Sequence, residues 1–283
     1  GFVLARGEGV TLYDTEGKAY TDWVAGIAVN ALGYGDKELN DTINQQLGTG
    51  LIHVSGLYHT PPMVDLAKTL CDNSFADRAY FCNSGAEANE GAIKFARKVA
   101  YTKEKPNKTK VVSFTQAFHG RTMGALAVTP KEKYQKPFGP MVPGAVVGEF
   151  NNVESAKAVI DDDTVAVIVE PIQGEGGINV ATAEFLQALR ELCDEHEATL
   201  IFDEIQCGLG RTGDLWAHSF SGVTPDIMTL AKPLAGGLPV GAILTTEAVA
   251  QVMKPGDHGS TFSGGAVVMS AGNVIVNRVL QPG

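Results

Sequence analysis

The sequence predicts an α/β protein built on a mostly parallel sheet with helices covering both faces. Short runs that are apolar throughout alternate with longer amphipathic segments, as expected when helices connect strands that are buried on both faces. The loops that follow several of these apolar runs carry charged residues and glycines. In such sheets ligands bind beyond the carboxyl ends of the strands, so these loops form the candidate site.

The apolar runs and the amphipathic segments give an order of elements. The predicted strands span residues 80–82, 110–114, 165–169, 199–202, 227–230 and 240–244. The predicted helices span residues 86–100, 153–160, 183–196 and 267–280, and the last of them stops at Gln281, Pro282 and Gly283. We divide the chain into an N-terminal segment, residues 1–40, and a large domain, residues 41–283.

Composition and charge argue against several classes of protein. The 22 Lys and Arg residues against 32 Asp and Glu residues give a net charge of −10, which repels a nucleic-acid backbone. No apolar run reaches the roughly 18 residues that a membrane-spanning helix needs, so no membrane partner is expected. Four cysteines in 283 residues, without a CxxC pattern, favour a reducing compartment and suggest neither a disulfide scaffold nor a metal site.

The loop after the first predicted strand, residues 83–90, reads NSGAEANE and runs directly into a helix. Free N–H groups and the dipole at a helix N-terminus form an anion site. Ser84 followed by Glu87 three residues later is also the pattern of a capping box, which needs no ligand. Taken alone, this loop favours the capping interpretation.

Three more loops carry candidate chemistry after a predicted strand. Residues 170–177 read EPIQGEGG, and Glu170 and Glu175 fit either a substrate-facing turn or a flexible surface loop. Asp203 leaves a buried apolar strand, where a carboxylate needs a cation unless it reaches solvent. Lys232 precedes a turn rich in Gly and Pro; a buried lysine there is an amine nucleophile, whereas a lone lysine is more often a surface residue.

The combination of these loops predicts a site for pyridoxal phosphate. The aldehyde of that cofactor needs a lysine amine, which Lys232 offers. The ring nitrogen needs a carboxylate to stay protonated, and Asp203 lies 29 residues before the lysine. The phosphate needs a helix N-terminus, which residues 83–90 supply.

Five motifs together resemble the class III (subgroup II) aminotransferases of the aspartate-aminotransferase fold, also called fold type I of the pyridoxal-phosphate enzymes. The motifs are NSGAEAN at 83–89, FHGR at 118–121, EPIQGE at 170–175, DEIQ at 203–206 and HGSTF at 258–262. The resemblance extends from residue 7 to residue 272. Within the class, residues 25–33 (AGIAVNALG) are similar to the acetylornithine aminotransferase family, whereas ornithine aminotransferases usually carry tyrosine in place of Ile27.

The resemblance implies roles around the cofactor, pyridoxal 5′-phosphate. Lys232 would hold it and move the proton of the substrate Cα. Asp203 would pair with the ring nitrogen, Gln206 would lie near the ring hydroxyl, and Phe118 would stack on the ring. The residues implied to bind the phosphate are Ser84, Gly85 and Ala86.

The resemblance also implies substrate contacts and a partner. Arg121 would hold the substrate α-carboxylate, while Glu170 and Glu175 would line the substrate pocket and Ile27 would add an apolar wall. Members form homodimers with shared sites, so Thr261 would bind the phosphate of the neighbouring subunit's cofactor. Residues 232–239 (KPLAGGLP) resemble eukaryotic members, so we expect the mitochondrial matrix, or the cytoplasm for a prokaryotic source.

Some features depart from the family pattern. Tyr34 stands where the family has histidine, and residues 264–267 read GGAV in place of Gly-Gly-Asn-Pro. The family continues for about a hundred further residues as a small C-terminal domain that carries the arginine partner of Glu175. We expect that domain to be missing from this chain.

The sequence therefore predicts an enzyme of arginine biosynthesis that transfers the amino group of N-acetylornithine to 2-oxoglutarate. One alternative keeps the cofactor but uses ornithine or 4-aminobutyrate as the amino donor. The other alternative is a truncated chain that binds the cofactor or a partner subunit without catalysing a reaction.

Overall fold

The computed structural model describes residues 1–281, so Pro282 and Gly283 lie outside the described residues. Its strands are β1 (Leu4–Glu8), β2 (Thr11–Asp14), β3 (Ala19–Thr21), β4 (Arg78–Cys82), β5 (Lys110–Phe114), β6 (Ala145–Gly148), β7 (Thr164–Val169), β8 (Ile172–Gln173), β9 (Asn179–Val180), β10 (Thr199–Asp203), β11 (Ile227–Leu230) and β12 (Gly241–Thr245).

The helices lie between these strands and at the C-terminal end of the described residues. They are α1 (Ala25–Ala28), α2 (Lys37–Gly48), α3 (Pro61–Asp72), α4 (Gly85–Thr102), α5 (Met123–Ala127), α6 (Glu132–Gln135), α7 (Val153–Val159), α8 (Ala183–Glu195), α9 (Glu247–Ala250) and α10 (Ala266–Val279). Short 3₁₀ helices span Lys136–Phe138 and Ala217–Ser221. Within residues 1–281, no helix combines the length and the apolar character needed to cross a membrane.

Seven strands form the central sheet in the order β4-β12-β11-β10-β7-β5-β6. Strands β11, β10, β7, β5 and β6 pair in parallel, whereas β12 pairs antiparallel with both of its neighbours. All six residues of β7 are buried, because helices cover both faces of this strand. The predicted α/β fold with a mostly parallel sheet is therefore confirmed.

Alternate residues of the strands pack against different helices. Ile168 belongs to the cluster that includes Ala92 and Ala96 of α4, whereas Val167 belongs to the cluster that includes Phe185 of α8. Small alanines let α4 lie close to the sheet, and its N-terminus follows the carboxyl end of β4. This packing fixes the first turn of α4 beside the strand ends.

Every strand and helix predicted in the large domain is present, with ends that differ by one or two residues. The sequence analysis missed β6, a four-residue edge strand, because its AVVG run is too short to give a clear pattern. It also missed the antiparallel sheet β1-β2-β3. The predicted division after residue 40 falls inside α2, which begins after Asp36 accepts the N–H of Leu39, and this division remains a prediction.

Candidate active site

A cavity of about 400 Å³ lies where the strands end and α4 begins. Strands β4, β11, β10, β7 and β5 run in one direction, so their carboxyl ends meet at one edge of the sheet. The predicted site residues that line the cavity are Gly85, Ala86, Phe118, Arg121, Glu170, Glu175, Asp203, Gln206 and Lys232. The fold therefore brings together nine side chains or backbone groups from five separate loops.

Both oxygens of the Asp203 carboxylate take part in hydrogen bonds. Asn89 Nδ2 donates to Oδ2 at 2.7 Å, and His119 Nδ1 lies 2.8 Å from the same oxygen. The backbone N–H of Ile205 donates to Oδ1 at 3.0 Å. Thr229 donates to Asn89 Oδ1 at 2.8 Å, which fixes the orientation of the amide that faces Asp203. A carboxylate with this many donors has one orientation on the cavity wall.

His119 is buried, and its pKa reflects two opposing effects. Burial disfavours the charged imidazole, but the hydrogen bond and charge of Asp203, together with the charge of Glu170, outweigh burial and raise the pKa of His119 above its ordinary value. Its Nε2 is buried without a hydrogen-bond partner in the part of the chain that the structure describes. The raised pKa favours the protonated form of His119 beside the Asp203 carboxylate.

Lys232 follows β11 and lies half-buried in the cavity. No hydrogen-bond or ion-pair partner for its Nζ is found among residues 1–281. Burial lowers the pKa of Lys232 below its ordinary value, although nearby carboxylates, first Glu175 and then Asp203, oppose that change. An unpaired amine with a lowered pKa is suited to nucleophilic attack on a carbonyl.

The first turn of α4 has the hydrogen bonds of a capping box and also offers free N–H groups for an anion, the two interpretations of residues 83–90. Ser84 Oγ accepts the N–H of Glu87 at 3.1 Å, and Glu87 Oε2 accepts the N–H of Asn83 at 2.7 Å. The capping role of Ser84 is therefore present, and Ser84 is not part of the cavity lining. Gly85 and Ala86 do line the cavity, and their N–H groups have no acceptor inside the helix.

Glu170 and Phe118 are joined by a hydrogen bond in the lining of the cavity. Glu170 is 5% exposed, and its Oε2 accepts the backbone N–H of Phe118 at 3.0 Å. Burial raises the pKa of Glu170 to about 7. The Phe118 ring lines the cavity and lies 5.6 Å from the Arg121 guanidinium.

The outer part of the cavity carries the remaining charged groups. Arg121 is exposed, and its guanidinium lies 3.7 Å from the centroid of the Tyr134 ring, which holds this side chain by a cation–π contact. Glu175 is also exposed, and its Oε1 lies 3.5 Å from Gln206 Nε2. The Gln206 amide packs against Gly174, where a Cβ would lie 1.5 Å from Gln206 Oε1.

Two more predicted residues lie outside the cavity lining. Ile27 is 54% exposed with a φ of 66°, a left-handed backbone conformation, and Val29 lines the cavity in its place. Thr261 is exposed beside Ser260, whose hydroxyl accepts a hydrogen bond from Asn83 at 2.7 Å. The roles predicted for Ile27 and Thr261 in substrate binding and in the neighbouring subunit remain predictions.

Sequence reasoning missed Asn89, His119 and Thr229 as members of the site. Asn89 gave a usable signal, because a buried face of α4 that is otherwise made of alanine, glycine and apolar side chains contains this one amide. Such a polar group needs a partner, and here the partner is Asp203, 114 residues further along the chain. His119 lies inside the predicted FHGR motif but received no role of its own.

The residues present fit pyridoxal 5′-phosphate. The first turn of α4 offers backbone N–H groups for a phosphate, and Asp203 offers an oriented carboxylate for a ring nitrogen. Lys232 offers an unpaired amine for an aldehyde, and the Phe118 ring offers an apolar face. Each chemical group of the cofactor thus has a matching group in the lining of the same cavity.

The fold and this site define a class of protein. The chain belongs to the class-III aminotransferase family, because the model of that family matches residues 2–282. Membership confirms the predicted fold class and the predicted cofactor, pyridoxal 5′-phosphate.

The relatives narrow the comparison further. The mitochondrial acetylornithine aminotransferase of Alnus glutinosa is 55% identical over 99% of this chain, which spans 63% of that protein. The succinylornithine transaminase of Salmonella typhimurium is 48% identical over 99% of this chain and 69% of its own length. Among solved structures, N-acetylornithine aminotransferase from Stenotrophomonas maltophilia matches with a TM-score of 0.83 and 37% identity, covering 99% of this chain and 69% of that one. Ornithine aminotransferase from Toxoplasma gondii matches with a TM-score of 0.93 and 32% identity, covering 98% and 67%.

Proposed function

We propose that this chain is the cofactor-binding part of an aminotransferase that transfers the amino group of N-acetylornithine to 2-oxoglutarate in arginine biosynthesis. The observation that carries this proposal is that one cavity holds both the Lys232 amine, which has no partner among residues 1–281, and the oriented Asp203 carboxylate. The chain spans 63% of the Alnus glutinosa relative and 69% of the Salmonella typhimurium relative, so the activity of those proteins is a proposal for this chain.

The bound cofactor supplies a carbonyl that exchanges amino groups and a ring that accepts electrons from a deprotonated Cα. The protein's contribution is positioning and proton transfer. Lys232 takes the proton from the substrate Cα and returns it, and its lowered pKa increases the fraction of neutral amine that can do so. Asp203, fixed by Asn89 and His119, would supply the negative charge that keeps the ring nitrogen of the bound cofactor protonated.

Charged and polar side chains at the outer part of the cavity would bind the polar groups of the substrate. Arg121 presents a planar guanidinium suited to the α-carboxylate, and the Tyr134 ring limits its movement. Glu175 and Gln206 lie at the same rim and offer polar contacts to the rest of the donor. The acetylated side chain of the donor is neutral and needs no second cation.

The choice of donor rests on similarity and on residues 25–33. The relative from Alnus glutinosa is named as an acetylornithine aminotransferase and is 55% identical to this chain over 285 aligned residues. Ile27 stands where ornithine aminotransferases usually carry a tyrosine, which favours an acetylated donor over free ornithine. The same relative is named as mitochondrial, which supports a mitochondrial location for this protein. The full-length protein fused to a fluorescent protein would test that location, and the predicted matrix, in cells of the source organism.

We also propose a homodimer with shared active sites. Large apolar side chains are exposed in three segments, with Trp23 91%, Leu57 84% and Phe262 69% accessible. A second copy of the chain would remove these apolar side chains from water, which favours association. Thr261, next to Phe262, would then reach the neighbouring cofactor site. Sedimentation velocity tests this: Trp23→Glu should shift the protein to monomer, and a monomeric wild type contradicts the proposal.

Steady-state kinetics with 2-oxoglutarate and four donors tests the activity. The expected order of kcat/KM places N-acetylornithine above ornithine and 4-aminobutyrate, with N-succinylornithine included because one relative is named for it. Ile27→Tyr should narrow the preference over ornithine, and Arg121→Lys should lower kcat/KM because lysine cannot form two parallel hydrogen bonds. Equal or better use of ornithine by the wild type contradicts the donor, and cofactor binding without turnover of any donor supports the non-catalytic alternative.

A further inference from the structure

The turn formed by Phe118 and His119 is held by side chains from three different elements. Glu170, directly after β7, accepts the N–H of Phe118 at 3.0 Å. Thr129 Oγ1 accepts the N–H of His119 at 2.9 Å, and Asn89 of α4 donates to the His119 carbonyl at 2.8 Å. These backbone groups lie in a loop without a strand or helix, so the side chains take the place of secondary structure.

This turn carries two groups of the cavity wall. The Phe118 ring lines the cavity, and the His119 imidazole lies 2.8 Å from Asp203 Oδ2. A displacement of the turn would move the ring and the imidazole together. Of the three side chains that hold the turn, Glu170 alone can ionise.

We propose that Glu170 is a positioning residue that holds the Phe118–His119 turn, and through it the ring that covers the cofactor and the imidazole that supports Asp203. This role differs from the substrate contact that the sequence implied for Glu170. It rests on the proposed function only in naming the cofactor as the group that the turn faces.

The charge of Glu170 adds an electrostatic contribution to this role. Burial, with Asp203 acting in the same direction, raises the pKa of Glu170 to about 7, while His119, the Phe118 N–H and Lys131 oppose the increase. The other titratable groups that face Glu170 are Lys232 and Cys207. When Glu170 is ionised, its negative charge favours protonated His119 and thereby the charge on Asp203.

Two substitutions separate the hydrogen bond from the charge. Glu170→Gln keeps an oxygen that can accept the Phe118 N–H but removes the charge, whereas Glu170→Ala removes both. Glu184→Gln is the matched control, because it removes an exposed carboxylate in the first turn of α8, away from the cavity.

The first measurement uses the protein without cofactor. Amide hydrogen exchange of Phe118 should accelerate at least about tenfold in Glu170→Ala and remain near the wild-type rate in Glu170→Gln. The imidazole resonance of His119, assigned with a His119→Gln variant, should titrate at lower pH in Glu170→Gln and unchanged in Glu184→Gln. Unchanged Phe118 exchange in Glu170→Ala, or an unchanged His119 titration in Glu170→Gln, overturns the respective part of the proposal.

The second measurement is cofactor affinity by fluorescence titration without any amino donor. Glu170→Ala should weaken pyridoxal 5′-phosphate binding by about tenfold or more, and Glu170→Gln by less, because it keeps the turn in place. Equal losses in the two variants overturn the positioning role. A wild-type protein that binds the cofactor but transfers no amino group contradicts only the proposed function. The role of Glu170 is still decided by the Phe118 amide exchange, the His119 titration and the cofactor affinity.

Discussion

Replacing Glu170 with glutamine should stabilise the protein at pH 8 but not at pH 4. The pKa of Glu170 is raised from 4.5 to about 7 by burial. Below pH 4.5 the carboxyl group is neutral in the folded and the unfolded chain, so its burial does not lower the free energy of unfolding. As the pH rises to 7, the unfolded chain ionises first, and above 7 the fold contains a buried carboxylate. The stability present at low pH is therefore lost as the pH passes through the folded pKa.

The displacement of this pKa corresponds to about 3 kcal/mol of unfolding free energy. For a chain of this size, that energy equals a rise in the thermal midpoint of roughly 5–10 °C at pH 8. Thermal unfolding followed by circular dichroism, from pH 4 to pH 8 and without cofactor, measures the difference between wild type and Glu170→Gln. Glu184→Gln should show no such pH-dependent gain. A midpoint that rises equally at both ends of the pH range, or not at all at pH 8, refutes the assignment of the cost to the buried charge.

Three further substitutions test the cofactor site. Lys232→Ala should abolish covalent attachment of the cofactor, so mass spectrometry after borohydride reduction should show the unmodified chain; an attached cofactor would locate the reactive amine elsewhere. Asp203→Asn should keep cofactor binding but lose most of kcat, and a loss of only a few-fold, about 1 kcal/mol or less, would contradict the role of the carboxylate. Gly241→Ala places a Cβ 2.4 Å from the Ser84 carbonyl oxygen, so the first turn of α4 must shift and cofactor affinity should fall. Gly48→Ala, where a Cβ meets no atom within 4 Å, is its control, and similar affinities for both variants would show that the turn tolerates the shift.

The sequence predicts the parts of this fold that depend on local pattern. Strand β7 consists of six buried residues in a row, and such an apolar run between two helices is typical of a strand buried on both faces. Strand β6 is short and lies at the sheet edge, where burial on one side leaves little pattern to read. The same limit applies to β1, β2 and β3, whose residues are largely exposed or half-buried.

The site could be predicted where several loops together match one cofactor. Asp203 and Lys232 were predicted because, with the loop at 83–90, they supply the groups that pyridoxal phosphate needs, whereas each residue alone also had a structural explanation. The hydrogen bonds from Asn89 and His119 to Asp203 could not be predicted, since they join residues 114 and 84 positions apart and depend on the final packing of α4. Ser84 was ambiguous from the sequence, and the structure shows its hydroxyl engaged in capping α4.

Strand β12 connects two parts of the site that lie far apart in the sequence. It lies between β4 and β11, so it joins the strand that leads to α4 with the strand that leads to Lys232. Residues Arg78 and Thr245 pair across this junction, although they are separated by more than half of the chain.

The edges of β4 and β11 that face β12 can therefore pair with it only after residues 241–245 have been synthesised. Non-local pairing of this kind folds slowly and leaves edges open to other chains. In the folded chain, Gly241 at the start of β12 lies beside Ser84, and β12 also pairs with β11, the strand that leads to Lys232. The arrangement of the cavity thus depends on a strand that is synthesised late and none of whose residues, Gly241–Thr245, lines the cavity.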